Sequence, residues 1–349
     1  MNTPGAALER ALLAAWFDRP TPPWPLRPLS LLYCGLAGLA ALPWRLGWRR
    51  PWRAPCPVIV VGNLIVGGAG KTPTVIALVQ ALQDAGWHPG VVSRGHGRQS
   101  RGVVVAEAGL DARRLGDEPW LIRRRTGVPL AVGERRADAA DALLSAAPEI
   151  DVLVADDGLQ HHALARDLAV WVFDERGAGN GALLPAGPLR QPLPATLPPA
   201  TWVLYNAPAP STDLPGEVAQ RSLSGAVSLA DWHAGAPMDP QALLALRHRP
   251  VHAIAGIGSP ERFFTMLRAA GLTCTTQPLP DHADMSTPLW PPGTPDVLCT
   301  EKDAAKLDPT RVGPARVWVV GLDFQLPPAL VDQLLAGLAP TPRSTGETR

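Results

Sequence analysis

The sequence predicts an α/β protein: a mostly parallel sheet domain, a second and smaller α/β domain, and a short apolar helix ahead of both. Three observations predict it. Apolar runs rich in β-branched residues alternate with stretches of helical spacing. A loop-rich, proline-rich stretch from 207 to 240 separates two such alternating sets. An uncharged run, Pro28 to Trp44, precedes the first of them.

Composition sets the outer limits. A chain of 349 residues is long enough for two domains, and 46% hydrophobic with 18% charged content describes a globular protein. The net charge of +1 gives no global basic field of the kind that marks nucleic-acid binders. Cys34, Cys56, Cys274 and Cys299 are scattered, with no C-x-x-C pair, which argues against a zinc site or disulfide framework and fits a reducing compartment. Lysine occurs only at Lys71, Lys302 and Lys306, in a chain otherwise rich in arginine. A lysine kept where arginine is the rule points to a need for a compact ammonium.

The elements follow in order. Pro28 to Trp44 is short for a span, and Arg45, Arg49, Arg50 and Arg53 come at once after it, interleaved with Trp44, Trp48 and Trp52. That order reads as an interfacial anchor on an anionic leaflet. A helix buried in the protein's own core, a true span and a signal sequence are the alternatives. Residues 1–50 are therefore taken as a membrane-associated segment, 51–207 as the first sheet domain and 208–349 as the second.

Residues 57 to 63, PVIVVGN, form a continuous apolar run, as expected of a strand buried on both faces. Val75, Leu78, Val79 and Leu82 then recur at helical spacing, with Gly86 as the stop. Residues 89–95, 151–157, 168–174 and 202–206 read as further strands. In the second set, 251–258 is a strand before a helix near Pro260, 297–307 is strand then helix, and 317–324 is a strand before a last helix around Ala329 to Leu338.

Between the first strand and first helix lies VGNLIVGGAGKT, Val61 to Thr72. A glycine-rich turn at that place, ending in Gly-Lys-Thr, is the phosphate cradle of P-loop NTPases. Ile65, Val66, Gly67, Gly68, Ala69, Gly70, Lys71 and Thr72 are its expected ATP-binding residues. Backbone N–H groups and the helix dipole face the phosphates, Lys71 reaches the β and γ groups, and Thr72 ligates Mg²⁺. Ile65 stands where the usual pattern has glycine. The strand ending in Asp156 and Asp157 offers carboxylates for the same Mg²⁺, unless the pair only makes a turn. A second lysine that would mark the cell-division-positioning ATPases is absent, since Val66 holds its place. A membrane-associated ATPase switch and a P-loop kinase of a soluble acceptor remain the competing classes.

The segments GNLIVGGAGKTP (62–73), SRGHGR (93–98), GDEP (116–119), DDGLQHHALARD (156–167), GNGALLPAGPLRQP (179–192), AGIGSPERFF (255–264), PDH (280–282) and TEKDAAKL (300–307) together resemble the tetraacyldisaccharide 4'-kinase family, the lipid A kinases. They stand in that family's order from about residue 24 to 324, and the family's loop also lacks the first glycine. The resemblance implies transfer of the ATP γ-phosphate to the 4'-hydroxyl of a tetraacyl glucosamine disaccharide 1-phosphate, with Mg²⁺. It implies work at the cytoplasmic face of the bacterial inner membrane, as a peripheral or monotopic protein. The lipid substrate and the membrane surface are the partners; no nucleic acid or protein partner is expected.

Carried onto matching positions, the resemblance makes Lys71 catalytic and assigns Thr72, Asp156 and Asp157 to the metal. Asp117 matches an aspartate that helps deprotonate the acceptor, and His282 matches its histidine partner. Arg94 and Arg190 match motif arginines suited to phosphate, and His161 lies in the DDGLQH motif. Two departures stand out: Gln191 where the family commonly has glutamate, and His96 where it has tyrosine. The roles of position 191 and of Lys302 stay open.

Overall fold

The computed structural model describes residues 4–107, 109, 111–280 and 283–338. Among them, in chain order, the strands are β1 (Val58–Gly62), β2 (Pro89–Ser93), β3 (Val104–Val105), β4 (Leu130–Val132), β5 (Val152–Asp156), β6 (Leu168–Asp174) and β7 (Thr201–Asn206). There follow β8 (Glu217–Val218), β9 (Gln220–Ser228), β10 (Val251–Ala255), β11 (Cys274–Pro278), β12 (Asp296–Thr300) and β13 (Arg316–Gln325). The chain packs as two compact units. One draws on Met1–Arg94, Val128–Ala219 and Leu326–Arg349, the other on Gly95–Gly127 and Gln220–Gln325.

In the first unit the strands lie in the order β4-β2-β5-β1-β6-β7-β8. β1 sits between β5 and β6, parallel to both, and all five of its residues are buried. This is why 57–63 reads as unbroken hydrophobic sequence: helices cover both faces and leave no polar side. The Lys71–Asp84 helix buries Val75, Leu78, Val79 and Leu82, as their spacing predicts. Strand and helix meet at the glycine turn, so the ends of β1, β5 and β6 converge on the first turn of that helix.

In the second unit the order is β11-β10-β12-β13-β9, parallel except for β9, which runs antiparallel to β13. Its core gathers Phe263, Phe264 and Leu267 from the Pro260–Ala269 helix against Val251, Ala253, Leu298 and Val320 of the sheet.

Two expectations change. The stretch 207–240, read as a connection, contains β8, all of the nine-residue β9 and the short Leu229–His233 helix. The sequence of β9, QRSLSGAVS, is part polar and glycine-broken, so its pattern alone is too weak to announce a strand. The linear division at 207 also gives way. Gly95–Gly127 packs with the second unit, and the chain from Leu326 onward returns to the first.

Candidate functional site

The loop after β1 is built by glycines that turn and side chains that pin it. Gly67 and Gly70 have φ of 96° and 91°, a left-handed backbone that favours glycine. A Cβ on Gly70 would run into Asn206 Nδ2, which donates to Ala69 O at 2.9 Å. Asn63 Nδ2 donates to Gly67 O at 3.0 Å, and Arg176 Nη2 to Gly68 O at 2.7 Å. Ile65 is fully buried and bridged to Leu189, with the neighbouring Val66 N–H donating to Pro188 O at 3.0 Å. The position where glycine is usual is thus extended and core-packed, and isoleucine fits it.

Lys71 opens the helix. Its Nζ donates to Asn63 Oδ1 at 3.2 Å and lies 3.6 Å from Asp157 Oδ1. Thr74, a turn further on, bonds back to Gly70 O at 2.9 Å. No side chain caps the N-terminus of this 14-residue helix. Its first-turn N–H groups are therefore left for an anion, to which the helix dipole adds attraction.

At the end of β5, Asp156 is buried and accepts from Ser93 Oγ at 2.9 Å. Asp157 has φ 51°, an uncommon backbone for a residue with a side chain, and this turns its carboxylate toward the cations. Arg190 Nη1 approaches it at 3.3 Å and reaches Gln160 Oε1 at 3.4 Å. Burial pushes the Asp157 carboxyl up, but Lys71, Arg190 and Arg136 outweigh it and hold it below the usual carboxylate range.

His161 supports this corner. The Arg136 N–H, at the start of the Arg136–Ala146 helix, donates to His161 Nε2 at 3.0 Å. The ring must be neutral to accept, and burial reinforced by Arg136 drives its pKa down to about 4. The Arg136 guanidinium donates to the carbonyls of Glu134 and Asp157, both at 3.2 Å. Arg94 is exposed, and its charge reaches both Arg136 and His161.

Two contributors escaped sequence reading. Arg176, clamped by Asp174 through Nε at 2.9 Å, supports the glycine loop, and Arg136 ties His161 to Asp157. An arginine just past a strand-end aspartate was the one available signal for the first, and nothing marked the second.

The N-terminal segment is bonded to the same loops. Ser30 Oγ donates to Leu183 O at 2.8 Å and accepts from the Ala186 N–H at 3.0 Å. Tyr33 OH donates to Arg190 O at 3.0 Å, and Trp16 Nε1 to Pro185 O at 2.9 Å. The LLPAGPLR segment thus joins the apolar helix to the arginine that faces Asp157.

Asp117 lies in the second unit, at the first residue of the Asp117–Thr126 helix. Gly116 before it has φ 95°, and a Cβ there would come within 2.8 Å of His96 O. Next to it, Glu118 accepts from Lys302 Nζ at 2.9 Å, which gives Lys302 an ion-pair partner. His282, with Asp281, lies outside the described residues.

These features fit a triphosphate and its cation. The uncapped helix, the left-handed glycines and Lys71 supply donors and positive charge; Thr72, Asp156 and Asp157 carry oxygen atoms of the hard kind that Mg²⁺ takes. The sequence model for tetraacyldisaccharide-1-P 4'-kinase matches residues 22–339. The chain belongs to that family. Among the family's members, the tetraacyldisaccharide 4'-kinase of Methylibium petroleiphilum is 53% identical, covering 98% of this chain and 97% of the relative. That of Leptothrix cholodnii is 51% identical, covering 95% and 96%. A crystal structure of LpxK from Aquifex aeolicus in complex with ATP aligns with a TM-score of 0.72 at 25% identity, covering 90% of this chain and 98% of that one. This family of kinases therefore shares the chain's α/β architecture along nearly its whole length.

Proposed function

We propose that the protein transfers the γ-phosphate of ATP to the 4'-hydroxyl of a tetraacyl glucosamine disaccharide 1-phosphate, a step of lipid A biosynthesis, at the cytoplasmic face of the bacterial inner membrane. The observation that carries this reading is Lys71, held between Asn63 and Asp157 at the mouth of an uncapped helix, in a chain of this kinase family.

Lys71 and the loop amides from Gly67 to Thr72 receive the phosphates. In that state the Lys71 ammonium exchanges part of its hold on Asp157 for phosphate oxygen. Thr72, Asp156 and Asp157 would hold Mg²⁺, which when bound spreads the charge of the transferred group. Arg94, exposed and close enough for its charge to reach Arg136 and His161, suits a phosphate of the nucleotide or of the acceptor. Arg190 is already engaged with Asp157 and Gln160, so its part is to fix the metal-side carboxylate. His161 keeps the same corner in place through Arg136.

Asp117 takes the acceptor's proton, with His282 orienting it. The 4'-oxygen forms its bond to the γ-phosphorus while the bond from that phosphorus to the β–γ bridging oxygen breaks. The proton moves to Asp117, and ADP leaves with the electron pair.

The lipid reading draws support from the N-terminal helix. Leu31 and Leu39 are 76% and 64% exposed, and Trp24 and Trp48, at its two ends, are 80% and 75% exposed. A face that apolar, bounded by tryptophan and arginine, suits insertion into one leaflet as a monotopic anchor.

The test is mass spectrometry of the lipid after incubation with ATP and Mg²⁺ in detergent micelles. The expected product is one phosphate heavier, and Lys71→Ala lowers its rate by about 100-fold or more. A folded wild-type protein that leaves the disaccharide unchanged, or a Lys71→Ala variant with undiminished turnover, would remove the assignment.

A further inference from the structure

Two segments of the second unit, DEPW and TEKDAAKL, bring a row of charges together. Lys302 is bonded to Glu118 at 2.9 Å, and Arg125 Nη1 to Glu301 Oε2 at 2.9 Å. Lys306 is arranged differently. Its Nζ is buried and has no hydrogen-bond acceptor among the described residues, yet it lies 3.8 Å from Asp117 Oδ2 and 3.8 Å from Asp303 Oδ1.

Asp303 is fully buried and is already well supplied with donors. The Gly256 N–H lies 3.2 and 3.1 Å from its two oxygens, and Thr300 Oγ1 donates at 2.7 Å. Burial pushes its carboxyl up, against the pull of Thr300, Lys306, Gly256 and Lys302. A carboxylate with those bonds does not require the ammonium as its ligand. It serves instead as a fixed counter-charge that keeps a buried cation tolerable. The cation's other neighbour is Asp117.

We propose that Lys306 is a positioning residue for Asp117, its ammonium holding that carboxylate in place, with Asp303 as the anchor behind it. The proposal rests on the reading of Asp117 as the group that receives the acceptor proton. A base must be held toward the proton it takes, and an ammonium 3.8 Å from Oδ2 fixes the direction of that carboxylate. Among the described residues, the charges on the same two elements include Glu118 and Arg125 on the Asp117–Thr126 helix and Glu301 and Lys302 on the Glu301–Ala304 turn, paired as above. The β12 strand presents the buried Cys299 thiol, pushed up by burial and then by Asp303. Lysine suits the role, because a compact ammonium fits between two carboxylates where a guanidinium fork would need more room.

The experiment measures kcat and the KM for ATP in the full-length enzyme, with a thermal melt of each variant. Lys306→Met is expected to lower kcat roughly tenfold and leave the KM for ATP unchanged, because a misdirected base weakens the transition state and not nucleotide binding. Lys306→Arg, which keeps the charge, is expected to recover part of the lost kcat. Should Lys306→Met fail to fold, the double variant Lys306→Met with Asp303→Asn, which leaves no bare buried carboxylate, is read in its place. A folded variant with wild-type kcat, or one whose KM for ATP rises in step with the loss of kcat, overturns the proposal. Asp117→Ala separates the two readings. Full turnover by that variant defeats the base assignment and the Lys306 role with it. An inactive Asp117→Ala beside a fully active Lys306→Met defeats the Lys306 role alone.

Discussion

Lys71, Asp157, Arg190 and Arg136 form one electrostatic unit, and His161 is the uncharged piece that fixes it. The Arg136 N–H needs a neutral imidazole as its acceptor. Because the ring's pKa falls from 6.5 to about 4 in the folded chain, the unfolded chain takes up a proton between those values that the folded chain refuses. Stability from this group is therefore complete above pH 6.5 and lost as the pH falls toward 4. Chemical denaturation of the wild type at pH 7 and pH 5 should show this loss, on the order of 1 kcal/mol once the ring's partial exposure is discounted. His161→Gln, which keeps an acceptor but cannot titrate, should show a smaller loss between the same two pH values. An equal pH dependence in both proteins would place the titration elsewhere. The motif DDGLQH marked His161 as a site residue, yet the residue that employs it, Arg136, carries no local signature. Its place comes from the three-dimensional meeting of a helix start with the loop after β5.

The N-terminal helix joins two roles that its composition reports unequally. Its apolar length is plain in the sequence, and the Trp24–Arg45 stretch is long and apolar enough to cross a membrane, though most of it is exposed. What periodicity did not report is that Ser30 and Tyr33, two polar residues in that run, bond to Leu183, Ala186 and Arg190 beside the glycine loop after β1. One face is thus bound to the loop that carries Arg190 and the rest presents leucine. Changing Leu31, Leu32, Leu36 and Leu39 together to glutamine removes apolar surface worth roughly 1.5–3 kcal/mol per leucine on burial. The variant should sediment far less with anionic vesicles, while its unfolding midpoint stays near the wild type, because exposed positions contribute little to folding. Undiminished vesicle binding would argue that the arginines alone, or another surface, hold the membrane. Helix and strand positions elsewhere were legible where periodicity was strong, as in β1 and the helix after it. They were hidden where the element was short or part polar, as in β4 and β9.

At the scale of the whole molecule, a nucleotide that binds only the folded first unit must stabilise it by mass action. At a hundredfold excess over Kd the gain is about 2.7 kcal/mol. Thermal unfolding with and without ATP and Mg²⁺ should show the transition of that unit rising, and removal of the nucleotide should return it. Lys71→Ala should cancel most of the shift. An equal shift in that variant would place the nucleotide elsewhere than the loop after β1.

The sequence by itself determined the glycine loop, the buried strands that flank it, the apolar helix and, through motifs in family order, the kinase class. Each of these is a local pattern, a few residues whose spacing is fixed by the period of a strand, a helix or a turn. Only the tertiary structure decided which unit claims Gly95–Gly127. With that it decided that Glu118 pairs with Lys302 across 184 positions and that Asp117 lies beside Lys306. Pairings of that separation leave no periodicity behind, because they depend on how sheets and helices close around their cores and not on any spacing along the chain.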